Sequence, residues 1–326
     1  MQAIVLVGGQ GTRLRPLTNT VPKPALTLVD RPFLAYMIEW LGSHGVTEAV
    51  LACGFLPDQL REALGEREHA GVKLTYAVEP DRRDTAGAIR FAADQLGDRL
   101  EDRFLALNGD GLADLDLTAL LRAHGESGAR ATLGLYEVED SSAFGLVERD
   151  AAGAVTAFTE KTGKAVPGMV SAGMYVLERS VLDLVPPEQK FSIEREVFPE
   201  LVGAGLYAMP LTGYWMDIGT PDRYLEATWD ILEGRVETDV RATGPGLSIG
   251  DGCEIADSAE IGPRAVIGPG CKVGDGATVA DSVLLAGSTV GEGARVSGSI
   301  LSVGMAVGAG AAVEGAVIGE AEKMGA

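Results

Sequence analysis

The sequence predicts an α/β domain, a mainly parallel sheet between helical layers, followed by a left-handed parallel β-helix. Three observations carry this. Unbroken apolar runs, of the kind seen in strands buried on both faces, alternate with helical patterns through the first hundred or so residues. A glycine-rich segment stands directly after the first of those runs, where open α/β sheets present their strand ends. From Ile249 the apolar period becomes six, with Ile249, Ile255, Ile261, Ile267, Val273, Val279 and Leu285 at that interval.

Ala3 to Val7 is the first strand, and the glycine segment that follows reads Gly8-Gly9-Gln10-Gly11-Thr12-Arg13-Leu14-Arg15-Pro16-Leu17-Thr18, with Pro22-Lys23-Pro24 shortly after. Residues without a Cβ let backbone N–H groups close around a polyphosphate. No acidic residue precedes Asp30, although the chain carries a formal charge of −20, so Arg13, Arg15 and Lys23 make a local cationic site. The dinucleotide fingerprint needs a glycine where Leu14 stands, and a Walker A loop would end in Gly-Lys-Ser/Thr. Both are excluded.

Asp30, as a cap, and Pro32 precede a helical spacing, Phe33, Leu34, Met37, Ile38 and Leu41, closed by Gly42 and Gly45. Strands at Ala49–Ala52, Val72–Val78 and Phe104–Leu107 alternate with helices near Asp58–Leu64, Thr85–Leu96 and Leu117–His124. This is a Rossmann-like, three-layer order. Between Ala131 and Val176 the strands crowd together, at Leu133–Val138, Gly145–Glu148, Val155–Thr159 and Met174–Val176, which predicts an antiparallel insertion over the sheet edge. Ser192–Val202 reads as helical, and Thr220-Pro221 caps a last helix ending before Gly234. The expected domains are 1–235, a linker at 236–246 and the β-helix at 247–326.

In the six-residue tract Cys253, Ala259, Ala265, Cys271 and Ala277 occupy a second phase. Three hexapeptides make one triangular coil, so residues eighteen apart should stack at strand spacing, roughly 4.8 Å. Cys253 should lie over Cys271 and Ala259 over Ala277, in about four coils. With Cys53 these are the only cysteines, and their spacing is neither that of a metal site nor of a disulfide framework. A reducing, cytoplasmic setting is expected. The acidic balance argues against nucleic-acid and anionic-membrane partners.

The glycine segment with its Arg13 and Pro22-Lys23-Pro24 resembles the signature loop of the sugar-1-phosphate nucleotidyltransferases, the NDP-sugar pyrophosphorylases. Gly213-Tyr214-Trp215-Met216-Asp217-Ile218-Gly219-Thr220-Pro221 and Asn108-Gly109-Asp110 resemble that family's two metal-site segments. The resemblance implies that the domain is a nucleotidyltransferase catalytic domain using Mg²⁺, held by Asp110 and Asp217. Position alone leaves Asp110 readable as a turn residue and Asp217 as a helix-entry acid. Glu160-Lys161, Phe144-Gly145-Leu146-Val147 and Ser171-Ala172-Gly173 resemble sugar-pocket segments, with Lys161 on the sugar phosphate, Glu160 and Gly145 near the sugar, and Ser171 where the family usually has Asn. Glu79-Pro80 and Thr85-Ala86-Gly87 resemble the base-recognition segment, although Arg83-Asp84 replaces the usual Leu-Gly. Leu6, Gly8, Gly9, Gly11, Thr12, Asn108 and Gly109 complete the implied nucleotide site, and Arg13 and Lys23 are its catalytic cations.

A Glu at the base edge can accept from the N1 and N2 hydrogens of guanine, whereas thymidylyltransferases more often present Gln. Ser192-Ile193-Glu194-Arg195-Glu196-Val197-Phe198-Pro199 resembles mannose-1-phosphate guanylyltransferases most. The implied reaction takes GTP and mannose 1-phosphate to GDP-mannose and pyrophosphate. The alternatives are a dTTP-using glucose-1-phosphate thymidylyltransferase or another NDP-sugar pyrophosphorylase, and, from another class, a non-catalytic regulatory subunit that senses sugar nucleotides. An acyltransferase in the β-helix would need a His there, and His44, His69 and His124 all precede it. The β-helix is therefore expected to serve assembly, as a dimer or tetramer.

Overall fold

The computed structural model describes residues 1–159, 163 and 165–320. The chain divides into two compact units, one of Met1–Gly9 with Met37–Trp215, the other of Gln10–Tyr36 with the chain from Met216 onward.

The first unit is built on a ten-stranded sheet. Its main strands are β1 (Gln2–Leu6), β2 (Glu48–Cys53), β3 (Val72–Val78), β4 (Arg103–Asn108), β5 (Ala131–Val138), β6 (Leu146–Arg149), β7 (Val155–Thr159), β8 (Gly168–Glu178) and β9 (Leu206–Pro210). They lie in the order β7-β6-β8-β4-β1-β2-β3, with β5 pairing both β8 and β9. β1 runs parallel to β2 and β4, and β2 to β3, as the alternation of strands and helices requires. β8, however, is antiparallel to β4 and β5. The strands expected to form an insertion over the sheet edge are thus part of the sheet itself. β8 is also far longer than Met174–Val176, because the register shifts between Ser171 and Tyr175, where Gly173 takes φ +70°. Such a bulge breaks the two-residue alternation that marks a strand in sequence.

Both faces of the central strands are closed. Ile4, Phe104 and Ala106 point into a core shared with Ile89, Ala92, Ala93 and Leu96 of helix α1 (Asp84–Leu96) and with Phe198 and Leu201. The alternate residues Ala3, Val5, Leu105 and Leu107 are just as inaccessible on the other face. Thr132 points to that second face from β5 and shares a 2.8 Å hydrogen bond with His124 of helix α2 (Leu117–Ser127). The three layers follow.

In the second unit, Asp30 does not cap the helix Phe33–Ser43. Thr27–Leu28 and Arg31–Pro32 form a small ladder before it, and the Asp30 carboxylate accepts from Arg31 and from the Tyr36 hydroxyl (both 2.9 Å). Helix α3 (Pro221–Leu232) starts as expected, with the Thr220 hydroxyl accepting from Arg223 N–H and Pro221 in the first turn.

The β-helix has three faces, of five, four and four stacked strands. Its first step is eighteen residues, with Ile249 on Ile267, Ile255 on Val273 and Ile261 on Val279. Every later step is seventeen. Ile267 pairs with Leu284, Leu284 with Leu301, and Leu301 with Ile318. The residue is lost at one corner, between Val279 and Ser282, which is turned by Asp281 at φ +48° and in the next coils by Gly298 and Gly315 at φ +56° and +58°. The inward residue is consequently Leu284 and not Leu285. The Cys253–Cys271 column is as expected: both thiols are free, and each donates to a carbonyl of the next coil (3.2 Å to Gly268 and Leu285), after which Ser288 takes the same corner. Burial raises the Cys271 thiol's pKa.

Candidate functional site

In the first unit the C-terminal ends of β1, β2 and β4 come together. Leu6 stands in register with Ala52 and Asn108, its carbonyl accepts from Gly109 N–H (2.9 Å), and Val7 N–H donates to Ala52 (2.9 Å). A Cβ on Gly109 would lie 2.6 Å from Val7 Cγ1, so only glycine permits this approach. Gly8 faces Gly54 and the Glu79 carboxylate: a Cβ on Gly8 would be 3.6 Å from Glu79 Oε1. Gly9 looks into open space, and Asp110 is exposed at the end of the β4 turn.

Glu79 is more than a loop-start acid. It is 8% exposed, its backbone N–H donates to Cys53, and its Oε2 accepts from Arg83 N–H (3.0 Å). Burial pushes its carboxyl pKa up against the lowering effect of the Arg83 N–H.

Thr85, Ala86 and Gly87 open α1 and press on the segment Gln189–Ile193. A Cβ on Gly87 would meet the Gln189 carbonyl at 2.5 Å, Gly87 N–H donates to Phe191, and Ala86 is a core residue. The family's usual glycine before this triplet has a physical reason in Asp84, which sits at φ +60°. Asp84 holds that conformation by accepting from Thr85 N–H (2.9 Å) and pairing with Arg195 (2.5 Å).

Two of the three segments expected at the sugar pocket also meet. Gly145 is buried and its carbonyl accepts from Ser171 N–H (3.1 Å). Gly173 lies so close to Asn108 that a Cβ would be 2.6 Å from Asn108 Nδ2. The Trp215 indole donates to the Ala172 carbonyl (3.0 Å) and its ring packs on Phe144 and Tyr136 at 5.3 and 5.4 Å. Glu160 and Lys161 lie outside the described residues.

In the second unit the rest of the signature loop is a short turn, Thr12–Leu14, entered through Gly11 at φ +61°. Thr18 Oγ1 donates to the Gly11 carbonyl (2.8 Å), and a Cβ on Gly11 would meet Thr18 at 3.0 Å and Lys23 at 3.1 Å. Thr12 and Arg13 are exposed. Lys23 is buried, lines a small cavity with Leu14, Leu26, Leu28 and Tyr224, and has its ammonium 3.5 Å from Asp217 Oδ1. Arg13 lies over Gly219, where a Cβ would be 2.6 Å from its guanidinium. Arg13 and Lys23, ten residues apart, thus both lie against the segment Asp217–Gly219, about two hundred residues further along the sequence. Asp217 pairs with Lys23, and the side-chain cap of α3 is supplied by Thr220.

Among the described residues no group of three or more His, Cys, Asp and Glu side chains is gathered as a protein-only metal cage. Carboxylates supplied singly, as Asp110 and Asp217 are, are instead the donor type of a Mg²⁺ that takes its remaining ligands from phosphates and water. Two features escaped the sequence: the aromatic cluster around Trp215, and the carboxylate of Glu194, which accepts from Thr85 and Ser192. The Ser192 to Pro199 motif was the available signal for the second.

The first unit is a parallel sheet whose strand-end glycines lie beside a buried carboxylate, and the second carries the glycine loop with Arg13 and Lys23; together they define an α/β protein with a glycine-rich, cationic signature loop. The chain belongs to the nucleotidyl transferase family, whose model matches residues 2–234, and residues 244–325 match the model for the GMPPB C-terminal domain. The mannose-1-phosphate guanylyltransferase of Mycobacterium tuberculosis is 37% identical over 237 residues, 72% of this chain and 65% of that protein. A probable mannose-1-phosphate guanylyltransferase 1 of Oryza sativa subsp. japonica is 40% identical over 69% of this chain and 63% of its own length. The match thus spans just under two thirds of these relatives. The crystal structure of HddC from Yersinia pseudotuberculosis complexed with GMP-PN superposes with TM-score 0.61 at 26% identity, covering 71% of this chain and 99% of that one.

Proposed function

We propose that the chain transfers a guanylyl group from GTP to mannose 1-phosphate, releasing pyrophosphate and forming GDP-mannose. The observation that carries this reading is Glu79, a buried carboxylate beside Gly8 that offers two acceptor oxygens to the N1 and N2 hydrogens of guanine. The names of the relatives and the guanine nucleotide in the HddC structure support the same base, and the relatives support the sugar.

In this reading a phosphate oxygen of mannose 1-phosphate attacks the α-phosphorus of GTP, and the bond to the bridging oxygen breaks as pyrophosphate leaves. A phosphate monoester has a second pKa of about 6, so the nucleophile is already largely dianionic at neutral pH and needs no general base. Catalysis is alignment and charge neutralisation. Backbone N–H groups from Gly8 to Thr12 and the Arg13 guanidinium hold the triphosphate, and Lys23 sits at the α-phosphate. Leu6, Asn108 and Gly109 shape the nucleotide bed. Lys161 fixes the sugar phosphate, while Glu160, Gly145 and Ser171 meet the sugar. The family generally uses Mg²⁺, and here Asp110 and Asp217 are its proposed ligands, where it would withdraw charge from the α-phosphate oxygens. The setting we propose is cytoplasmic, in keeping with three free cysteines, and the assembly a dimer or tetramer. No helix among the described residues is long and apolar enough to cross a membrane.

Asp217→Asn tests the metal assignment. The change is nearly isosteric, so the fold should persist, and turnover at limiting Mg²⁺ should fall at least about a hundredfold through lost transition-state stabilisation. Near-normal turnover would take Asp217 out of the metal site and leave it as the ion-pair partner of Lys23.

A further inference from the structure

We infer that Glu194 is a positioning residue that locks the base-recognition segment and the sugar-pocket strand into one hydrogen-bonded unit. The inference rests on the reading above, in which Thr85–Gly87 borders the base and Ser171–Gly173 the sugar.

Glu194 lies in the turn Ile193–Val197, half-buried against the sheet. Its Oε2 accepts from Thr85 Oγ1 (2.8 Å) and from Ser192 Oγ (2.9 Å). Its Oε1 accepts from the Tyr175 hydroxyl (3.4 Å), which in turn accepts from Ser171 Oγ (3.4 Å). One carboxylate therefore reaches the base segment directly and the sugar strand through one buried phenol. The neighbouring Arg195 pairs with Asp84, so the same turn grips the start of α1 twice.

An ionised carboxylate only accepts, and this fixes the direction of every hydroxyl in the chain. Thr85 gives its one proton to Glu194 while its oxygen accepts from Ile193 N–H (2.8 Å). It has no proton left for a nucleotide, so it acts by orienting the first turn of α1. Ser171 accepts from Gly173 N–H (3.3 Å) and gives its proton to Tyr175. What remains at Ser171 is a lone pair, so it meets a sugar hydroxyl as an acceptor. An Asn there would bring donors of its own, which is why a shorter residue at this position changes the chemistry of the pocket and not only its reach.

Glu194→Gln separates positioning from buttressing, since the amide keeps the shape but must donate on one side and so reverses one arm of the relay. We expect the full-length variant to melt within a few degrees of the wild type, with KM for GTP and for mannose 1-phosphate each raised about tenfold, the effect of one charge-assisted hydrogen bond, and kcat changed less. Thr85→Val should raise the GTP KM alone and Ser171→Ala the sugar KM alone, and neither effect should add to that of Glu194→Gln. KM values for Glu194→Gln within twofold of wild type, or fully additive double variants, would overturn the inference. A wild-type chain that turns over a different nucleotide and sugar phosphate would overturn the proposed substrates instead, and the same comparison on that pair would then decide the role of Glu194. A wild type that turns over no such pair overturns both.

Discussion

Glu79 is held in conflict: burial opposes its charge, while the Arg83 N–H and the nearby Arg83 and Arg82 guanidinium groups favour it. Because burial raises its pKa in the folded chain, the acid form is favoured there, and stability tied to this group is full at low pH and lost as the pH rises through the folded pKa. Glu79→Gln should accordingly melt higher than wild type at pH 7 to 8, with the difference closing toward pH 4, while kcat/KM for GTP falls about tenfold or more because the amide cannot accept from both guanine hydrogens. Thermal melts across pH and initial rates with GTP check both halves, and a variant less stable at neutral pH would contradict the assignment. At this scale the sequence was legible where a motif is contiguous, as in the loop from Gly8 to Thr18. It was silent where partners are far apart: nothing local in Lys23, Asp217 or Glu194 announces which side chain will face it.

Elements were legible wherever periodicity is regular. Strand β3 and the Thr220-Pro221 helix start came straight from pattern and capping. The bulge at Gly173 hid half of β8, and the choice of sheet partner, which depends on contacts distant in sequence, placed β6 to β8 inside the sheet and not above it. In the β-helix the six-residue period was real, but one residue lost at a corner converted eighteen-residue coils to seventeen. That corner requires positive φ, which glycine adopts freely and Asp at some cost. Gly298→Val should therefore lower stability by about 1–3 kcal/mol, whereas Asp281→Gly should leave the melting temperature unchanged or higher. Equal melting temperatures for Gly298→Val and wild type would mean that the corner is not held in this conformation.

On the scale of the whole molecule, the sequence suggests a catalytic domain and an appended β-helix, yet the compact units are cut otherwise. The signature loop from Gln10 belongs with the chain from Met216 onward. Two contacts within that unit explain the grouping: the Tyr224 hydroxyl of α3 donates to the Thr27 carbonyl, and the last β-helix coil touches the loop, with Asn19 Nδ2 donating to the Glu320 carbonyl (2.9 Å). A Cβ on Gly319 would lie 3.0 Å from Pro16. Gly319→Leu should thus push on the loop that carries Arg13 and Lys23, lowering kcat/KM about tenfold with little change in melting temperature. Unchanged kinetics would make the β-helix end a bystander. No six-residue period could have revealed this contact, since it joins residues some three hundred positions apart.

The central claim is guanylyl transfer to mannose 1-phosphate. Pyrophosphate release by the wild-type chain, measured with Mg²⁺ over a grid of nucleoside triphosphates and sugar 1-phosphates, tests it most directly. The account predicts the highest kcat/KM for GTP with mannose 1-phosphate; an equal or better value for dTTP with glucose 1-phosphate would contradict it.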